Sequence, residues 1–102
     1  MIGKLADDGE NQLGTWIPDG KAKDSITPLT SLKASLPNSK IIYAPGYKGG
    51  LSTDKSCFDE AIEAAKQADQ VVLFLGEDNE LSGESHSRAY INLPGVQVEL
   101  VK

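Results

Sequence analysis

Two unbroken apolar runs stand out along the chain, Ile41-Ile42-Tyr43-Ala44 and Val71-Val72-Leu73-Phe74-Leu75, closed by Pro45-Gly46 and by Gly76. β-branched and aromatic residues ended by turn formers predict strands. The second run has no polar alternation, which predicts a strand buried on both faces of a parallel sheet, the central one. Ile2-Gly3-Lys4-Leu5-Ala6 is a shorter apolar stretch, the stub of a first strand, and the Asp, Gly and Asn-rich segment from Asp7 to Asp24 follows as a long loop.

Between these runs the apolar spacing changes to that of a helix. Thr27-Pro28 is a helix start, with Thr27 as N-cap and proline where its missing N–H costs nothing; Leu29, Leu32 and Leu36 follow, and Pro37-Asn38 ends the run. Ser56-Cys57-Phe58-Asp59 has the Ser-x-x-acid spacing of a second start. Phe58, Ile62 and Ala65 form its apolar face, and Glu60, Glu63, Lys66 and Gln67 the polar one. Leu93-Pro94-Gly95 opens a third helix with Val96, Leu100 and Val101 inward. Strands alternating with helices predict an α/β fold: a three-layer sandwich around a mostly parallel sheet of flavodoxin-like βαβ units, truncated at its first strand. Ligands of such sheets bind beyond the carboxyl ends of the strands, which directs attention to the loops after Ala6, Ala44 and Leu75.

Composition narrows the function. Hydrophobic residues at 39% and charged residues at 25% are ordinary globular usage, so disorder and fibrous classes are excluded, and 102 residues allow one domain at most. A net charge of −5 with no basic run removes the attraction that nucleic acid and anionic membranes require. Cys57 is the single cysteine, read as a small buried hydrophobe, so no disulfide or multi-thiolate metal site can be built. The N-terminus has neither the basic nor the apolar region of a signal, and no apolar stretch is long enough to span a membrane.

Nucleotide motifs fail on spacing. Gly14 to Lys21 has one residue too many between its glycines and Ala22 where Ser or Thr is required, and Gly46-Tyr47-Lys48-Gly49-Gly50 lacks dinucleotide spacing. Asp7-Asp8 reads as a solvated turn, since no phospho-acceptor aspartate ends a later strand. His86, the one histidine, has no metal-ligand partner and no Gly-x-Ser-x-Gly nucleophile, so it reads as a polar loop residue. No cofactor is implied. The stretch Gly76 to Arg88 differs, because Glu77, Asp78, Glu80 and Glu84 crowd into eight positions directly after the most hydrophobic run. Like-charge crowding raises carboxyl pKa values, which suits the acid of a glycosidase, but spacing alone does not say which carboxylate acts.

Taken together, Ile2-Gly3 to Ala6-Asp7, Glu10-Asn11-Gln12-Leu13-Gly14-Thr15-Trp16, Phe58-Asp59-Glu60-Ala61, Ala64 to Asp69, Val71 to Glu77, Leu81-Ser82-Gly83-Glu84, Ser87-Arg88 and Leu93-Pro94-Gly95 through Glu99-Leu100 resemble, in order, the second domain of family 3 glycoside hydrolases, especially bacterial β-glucosidases. The resemblance implies a retaining hydrolase of terminal β-D-glucosyl residues. In that family a (β/α)₈ barrel supplies the nucleophilic aspartate, and a loop of this domain supplies the acid/base glutamate. It places that role on Glu84, with Glu80 as the alternative carrier. Arg88 is implied to orient the loop or substrate and Trp16 to border the sugar site or plug a domain boundary; His86 is kept with them as a substrate-binding candidate.

By the same resemblance the chain is the N-terminal part of that domain, a fragment whose parent is periplasmic or secreted and whose partners are β-glucosides or oligosaccharides and the missing barrel. Alone it is expected to be inactive, and its uncovered apolar seam invites self-association. The rival reading is a small acidic flavodoxin-like binding or interaction module without catalysis.

Overall fold

Three apolar segments meet around Ile2 in the computed structural model, which describes residues 1–102. The Ile2 N–H donates to the Val72 carbonyl at 2.9 Å and the Phe74 N–H donates to the Ile2 carbonyl at 2.8 Å, so Ile2 bridges Leu73 in parallel. On its other side the Gly3 N–H donates to the Ala44 carbonyl and the Ala44 N–H to the Met1 carbonyl, both at 3.1 Å, which makes the second parallel bridge. These two isolated bridges are the whole of the β pairing, and there is no sheet.

The expected α/β sandwich with flavodoxin-like units is therefore overturned. A ladder lengthens only while each added residue finds a partner. Here the shared segment leaves the extended state at once: Gly3 takes φ 126°, and Lys4–Asp7 coils into a 3₁₀ turn. Ile2 is left as the one residue that pairs on both sides. The order is corrected too, since the Ile2 segment lies between the others and Val71–Leu75 is an outer one. Val71, Val72 and Leu73 are 45%, 47% and 40% exposed, not buried on both faces.

Four short α-helices surround these segments: α1 (Gly9–Leu13), α2 (Pro28–Ser35), α3 (Phe58–Lys66) and α4 (Gln97–Val101). The α2 helix starts as its sequence predicts, with the Thr27 hydroxyl accepting from Thr30 N–H at 3.2 Å. By contrast α1 lies inside the stretch read as a loop, where Asp8 caps it by accepting from Asn11 N–H at 3.0 Å. Ser56 does not cap α3; that helix begins after Cys57, which is half-buried and gives no side-chain cap. The inward face of α3 is also displaced, to Ala61 and Ala64, leaving Ile62 exposed. In α4, Gln97 takes the buried position and Val101 faces out.

Ile2, Ala44, Ala61 and Ala64 form the central core, with Ile42, Ala65 and Leu100 packed against it. Alanine on α3 lets that helix lie close over Ile2 but buries little area per residue. A core this thin gives a flattened body, 42 × 31 × 19 Å, whose radius of gyration of 14.5 Å exceeds the roughly 13 Å of a compact domain of this length. No helix is long and apolar enough to cross a membrane.

Candidate active site

The bridged segments run parallel, so the loops that leave their carboxyl ends emerge on one side, and side chains tie them together there. Tyr47, fully buried in the second loop, donates its hydroxyl to the Phe74 carbonyl at 2.9 Å. Burial disfavours the phenolate and pushes the Tyr47 pKa up to about 12. Gly50 N–H in the same loop donates to Asp78 Oδ2 at 2.5 Å, while Asp78 Oδ1 is buried without a protein partner. From the first loop, Asn11 Oδ1 accepts from Asn79 N–H at 2.6 Å, and the Thr15 hydroxyl lies 2.9 Å from both the Asn79 and the Ser82 carbonyls. One hydroxyl proton is shared between those two acceptors. The 76–88 loop is thus tied along its first half through Asp78, Asn11 and Thr15, just beyond the Tyr47 bond to Phe74.

Glu84 projects from the tip of this loop. His86 N–H donates to the Gly83 carbonyl at 3.1 Å, closing a four-residue turn with Glu84 and Ser85 at its corners. Ser85 has φ 67°, the only non-glycine residue with positive φ, and stands at the turn position where type II geometry demands it. Gly83 has φ 115° and lies against Thr15, where an added Cβ would come within 3.0 Å of the Thr15 methyl. The turn is therefore seated on Thr15, with Glu84 exposed to solvent.

The four carboxylates of the stretch do not form one cluster. Glu77 is paired with the Arg88 guanidinium and Asp78 is turned inward to Gly50, whereas Glu80 and Glu84 are exposed. Arg88 also donates to the Asn92 carbonyl at 2.7 Å, so its guanidinium joins both ends of the loop. His86 is exposed beside Glu84 in sequence. Trp16 is 72% exposed and immediately follows Thr15, which brings its backbone next to the Glu84 turn. No group of His, Cys, Asp and Glu side chains has the arrangement of a metal site.

Two grooves lie away from this loop. One of about 590 Å³, bordered by Met1, Leu36, Ile42, Gln67 and Val72, is at the amino ends of the bridged segments, the far side from Glu84. The other, of about 200 Å³, is lined entirely by apolar side chains between α3 and α4. Chemically, then, the polar loop face offers an exposed carboxylate on an anchored turn, with the Arg88 guanidinium four residues further along the chain and Trp16 next to the Thr15 that seats the turn.

Sequence reasoning missed Asn11, Thr15, Asp78 and Gln97 as the residues that hold this loop. Asn11 and Thr15 lie within the matched run Glu10 to Trp16, but their partners are more than sixty residues away, at Asn79 and Ser82. For Gln97 the usable signal was its place one turn before Val101, on the helix face read as inward.

The profile of the glycosyl hydrolase family 3 C-terminal domain matches residues 1–102. Among curated relatives, a periplasmic beta-glucosidase of Salmonella typhimurium is 31% identical over 99% of this chain and 16% of its own length. An exo-1,4-beta-xylosidase of Emericella nidulans is 36% identical over 99% of this chain and 12% of its own length. A beta-xylosidase of Formosa agariphila reaches 48% identity over 62% of this chain and 9% of its own length. The chain therefore spans about a sixth or less of these relatives. No solved structure matches it.

Proposed function

This chain belongs to glycosyl hydrolase family 3, matching its C-terminal domain along its whole length, and on that premise we propose that it supplies the general acid/base, Glu84, of a retaining β-glucosidase. The observation that carries the reading is Glu84 itself, exposed on a turn held from below by Thr15, on the side where the loops gather. A catalytic acid must be anchored in the protein yet reach the glycosidic oxygen of a substrate outside it.

The reaction needs two carboxyl groups. A nucleophile displaces the leaving group while Glu84 protonates the departing oxygen; Glu84 then deprotonates the water that cleaves the glycosyl-enzyme. In a retaining enzyme the two groups stand about 5–5.5 Å apart. The nucleophile in this reading comes from a barrel domain facing the Glu84 loop, with Trp16 and His86 bordering the sugar and Arg88 holding the loop. The chain by itself is then inert toward aryl glucosides. A periplasmic or secreted setting follows the Salmonella relative, a periplasmic beta-glucosidase.

Glu84→Ala in the full-length enzyme tests the assignment. Loss of a general acid costs about 10²–10⁴-fold for alkyl β-glucosides, whose leaving groups need protonation, and far less for dinitrophenyl β-glucoside. Azide should restore turnover of the activated substrate as a β-glucosyl azide. Equal losses for both substrates, with no azide product, would assign Glu84 another role. Because several relatives are named beta-xylosidases, the same assays run with β-xylosides decide the sugar.

A further inference from the structure

Gln97 is completely buried at the start of α4, and both the nitrogen and the oxygen of its carboxamide bond to one distant residue. Its Nε2 donates to the Gly76 carbonyl at 2.8 Å and its Oε1 accepts from Gly76 N–H at 2.8 Å. The orientation of the amide is not arbitrary, because a backbone N–H can only donate and a carbonyl only accept. Gly76 is the residue from which the 76–88 loop departs. The α4 end is anchored in turn, with Val96 N–H donating to the Ser52 carbonyl at 3.1 Å and Gly95 seated between the carbonyls of Gly50 and Ser52. Asn11, Thr15 and Asp78 hold the loop further along, and Gln97 is the one side chain bonded to its first residue.

We propose that Gln97 is a positioning residue for the acid/base step: its two-point clamp on Gly76 sets where the loop leaves the body and so where Glu84 meets the glycosidic oxygen. This rests on the assignment of Glu84 above. An apolar residue of the same size would fill the space but leave both Gly76 groups unpaired, and the loop root would shift to find water. A shift of the acid harms proton donation and spares a substrate that needs none. A packing role predicts no such selectivity.

The test uses the full-length enzyme carrying Gln97→Met, Gln97→Glu and, in parallel, Glu84→Ala. Gln97→Met should lower kcat/KM for methyl β-glucoside by roughly tenfold or more, up to but not beyond the 10²–10⁴-fold cost of a wholly lost general acid, and that for dinitrophenyl β-glucoside by less than about threefold. Gln97→Glu adds a pH signature. A protonated carboxyl offers one donor and one acceptor and reproduces both bonds, whereas a carboxylate can only accept. The ratio of Gln97→Glu to wild-type kcat/KM for methyl β-glucoside should therefore be near one in acid and fall as pH rises. Equal losses on both substrates, or a ratio that does not change with pH, overturn the proposal. If Gln97→Met does not fold, the pH ratio decides alone. Should Glu84→Ala show no leaving-group selectivity, the Glu84 assignment is what fails, whatever Gln97 does.

Discussion

Gly3→Ala is expected to be among the most damaging single substitutions in this chain, although it adds only one methyl group. Gly3 sits at φ 126° and ψ 133°, a conformation that costs an L-residue about 1–3 kcal/mol. Its added Cβ would also lie 2.0 Å from the Phe74 carbonyl oxygen, 2.8 Å from the carbonyl carbon and 3.1 Å from the Cα, all backbone atoms that no rotamer change can remove. Relief requires the 71–75 segment to move by more than about 1 Å. That would break the 2.9 Å Ile2 to Val72 bond, the 2.8 Å Phe74 to Ile2 bond and the 2.9 Å bond from the Tyr47 hydroxyl to the Phe74 carbonyl.

At about 1 kcal/mol for each lost hydrogen bond, the three add roughly 3 kcal/mol to the strain. The lower entropy of an unfolded chain with alanine returns about 0.4–1 kcal/mol. A net cost of roughly 4 kcal/mol results, against a total stability of about 5–15 kcal/mol for a chain of this length. Urea unfolding followed by far-UV circular dichroism measures it. Tryptophan emission would serve poorly, because Trp16 is 72% exposed in the folded state. With a denaturant slope of about 1–2 kcal/mol/M, the midpoint should fall by roughly 2–4 M, or the variant should not fold. A variant within about 1 kcal/mol of wild type would show that the close approach of Gly3 to Phe74 is not a requirement of the fold.

Tyr47→Phe should cost about 1–2 kcal/mol near neutral pH, because the Phe74 carbonyl loses its hydroxyl partner. Burial raises the folded-state Tyr47 pKa to about 12, so its contribution is complete below the unfolded value near 10 and is lost as pH climbs from there to about 12. At about 1.4 kcal/mol per pH unit the loss is about 3 kcal/mol; the stability gap between wild type and Tyr47→Phe should close and then reverse over that window, and a constant gap would contradict the burial argument. Asp8 behaves oppositely: burial raises its pKa, but the Asn11 N–H, the Lys4 ammonium and the Asn11 amide together outweigh burial and hold it below the ordinary aspartate value. Its stabilisation is therefore present above the unfolded pKa near 4 and lost as pH falls through the lower folded value. Asp8→Ala should cost about 1 kcal/mol at pH 7 as a lost helix cap, shrinking in acid, as denaturation at the two pH values would reveal.

The family could be read from the chain because its evidence is linear. Ordered runs such as Leu81-Ser82-Gly83-Glu84 followed by Ser87-Arg88 keep their meaning whatever the chain folds into, and the match over residues 1–102 agrees with them. The start of α2 was legible for a related reason, since Thr27, Pro28 and Thr30 are near neighbours and the cap is satisfied locally. The first loop misled because the cap of α1 is an aspartate in a stretch crowded with turn formers, where Asp8 looked like one more loop residue.

Strand pairing is not local in this way. Apolar composition determined that Val71–Leu75 would be extended and would meet other segments, but the number of residues that pair depends on the partner. Gly3 turns away after a single bridge, and that depends on its left-handed backbone against Phe74. The acidic loop divides along the same line. By itself the sequence determined which carboxylates it carries and, through the resemblance, which one to examine. Only the tertiary structure decided that Glu77 pairs with Arg88, that Asp78 faces Gly50, and that Thr15 and Gln97 hold the loop at Ser82 and Gly76 from sixty-seven and twenty-one residues away. A chain can specify the chemistry of a side chain at one position, but the hydrogen-bond partner that orients it exists only once distant segments have come together.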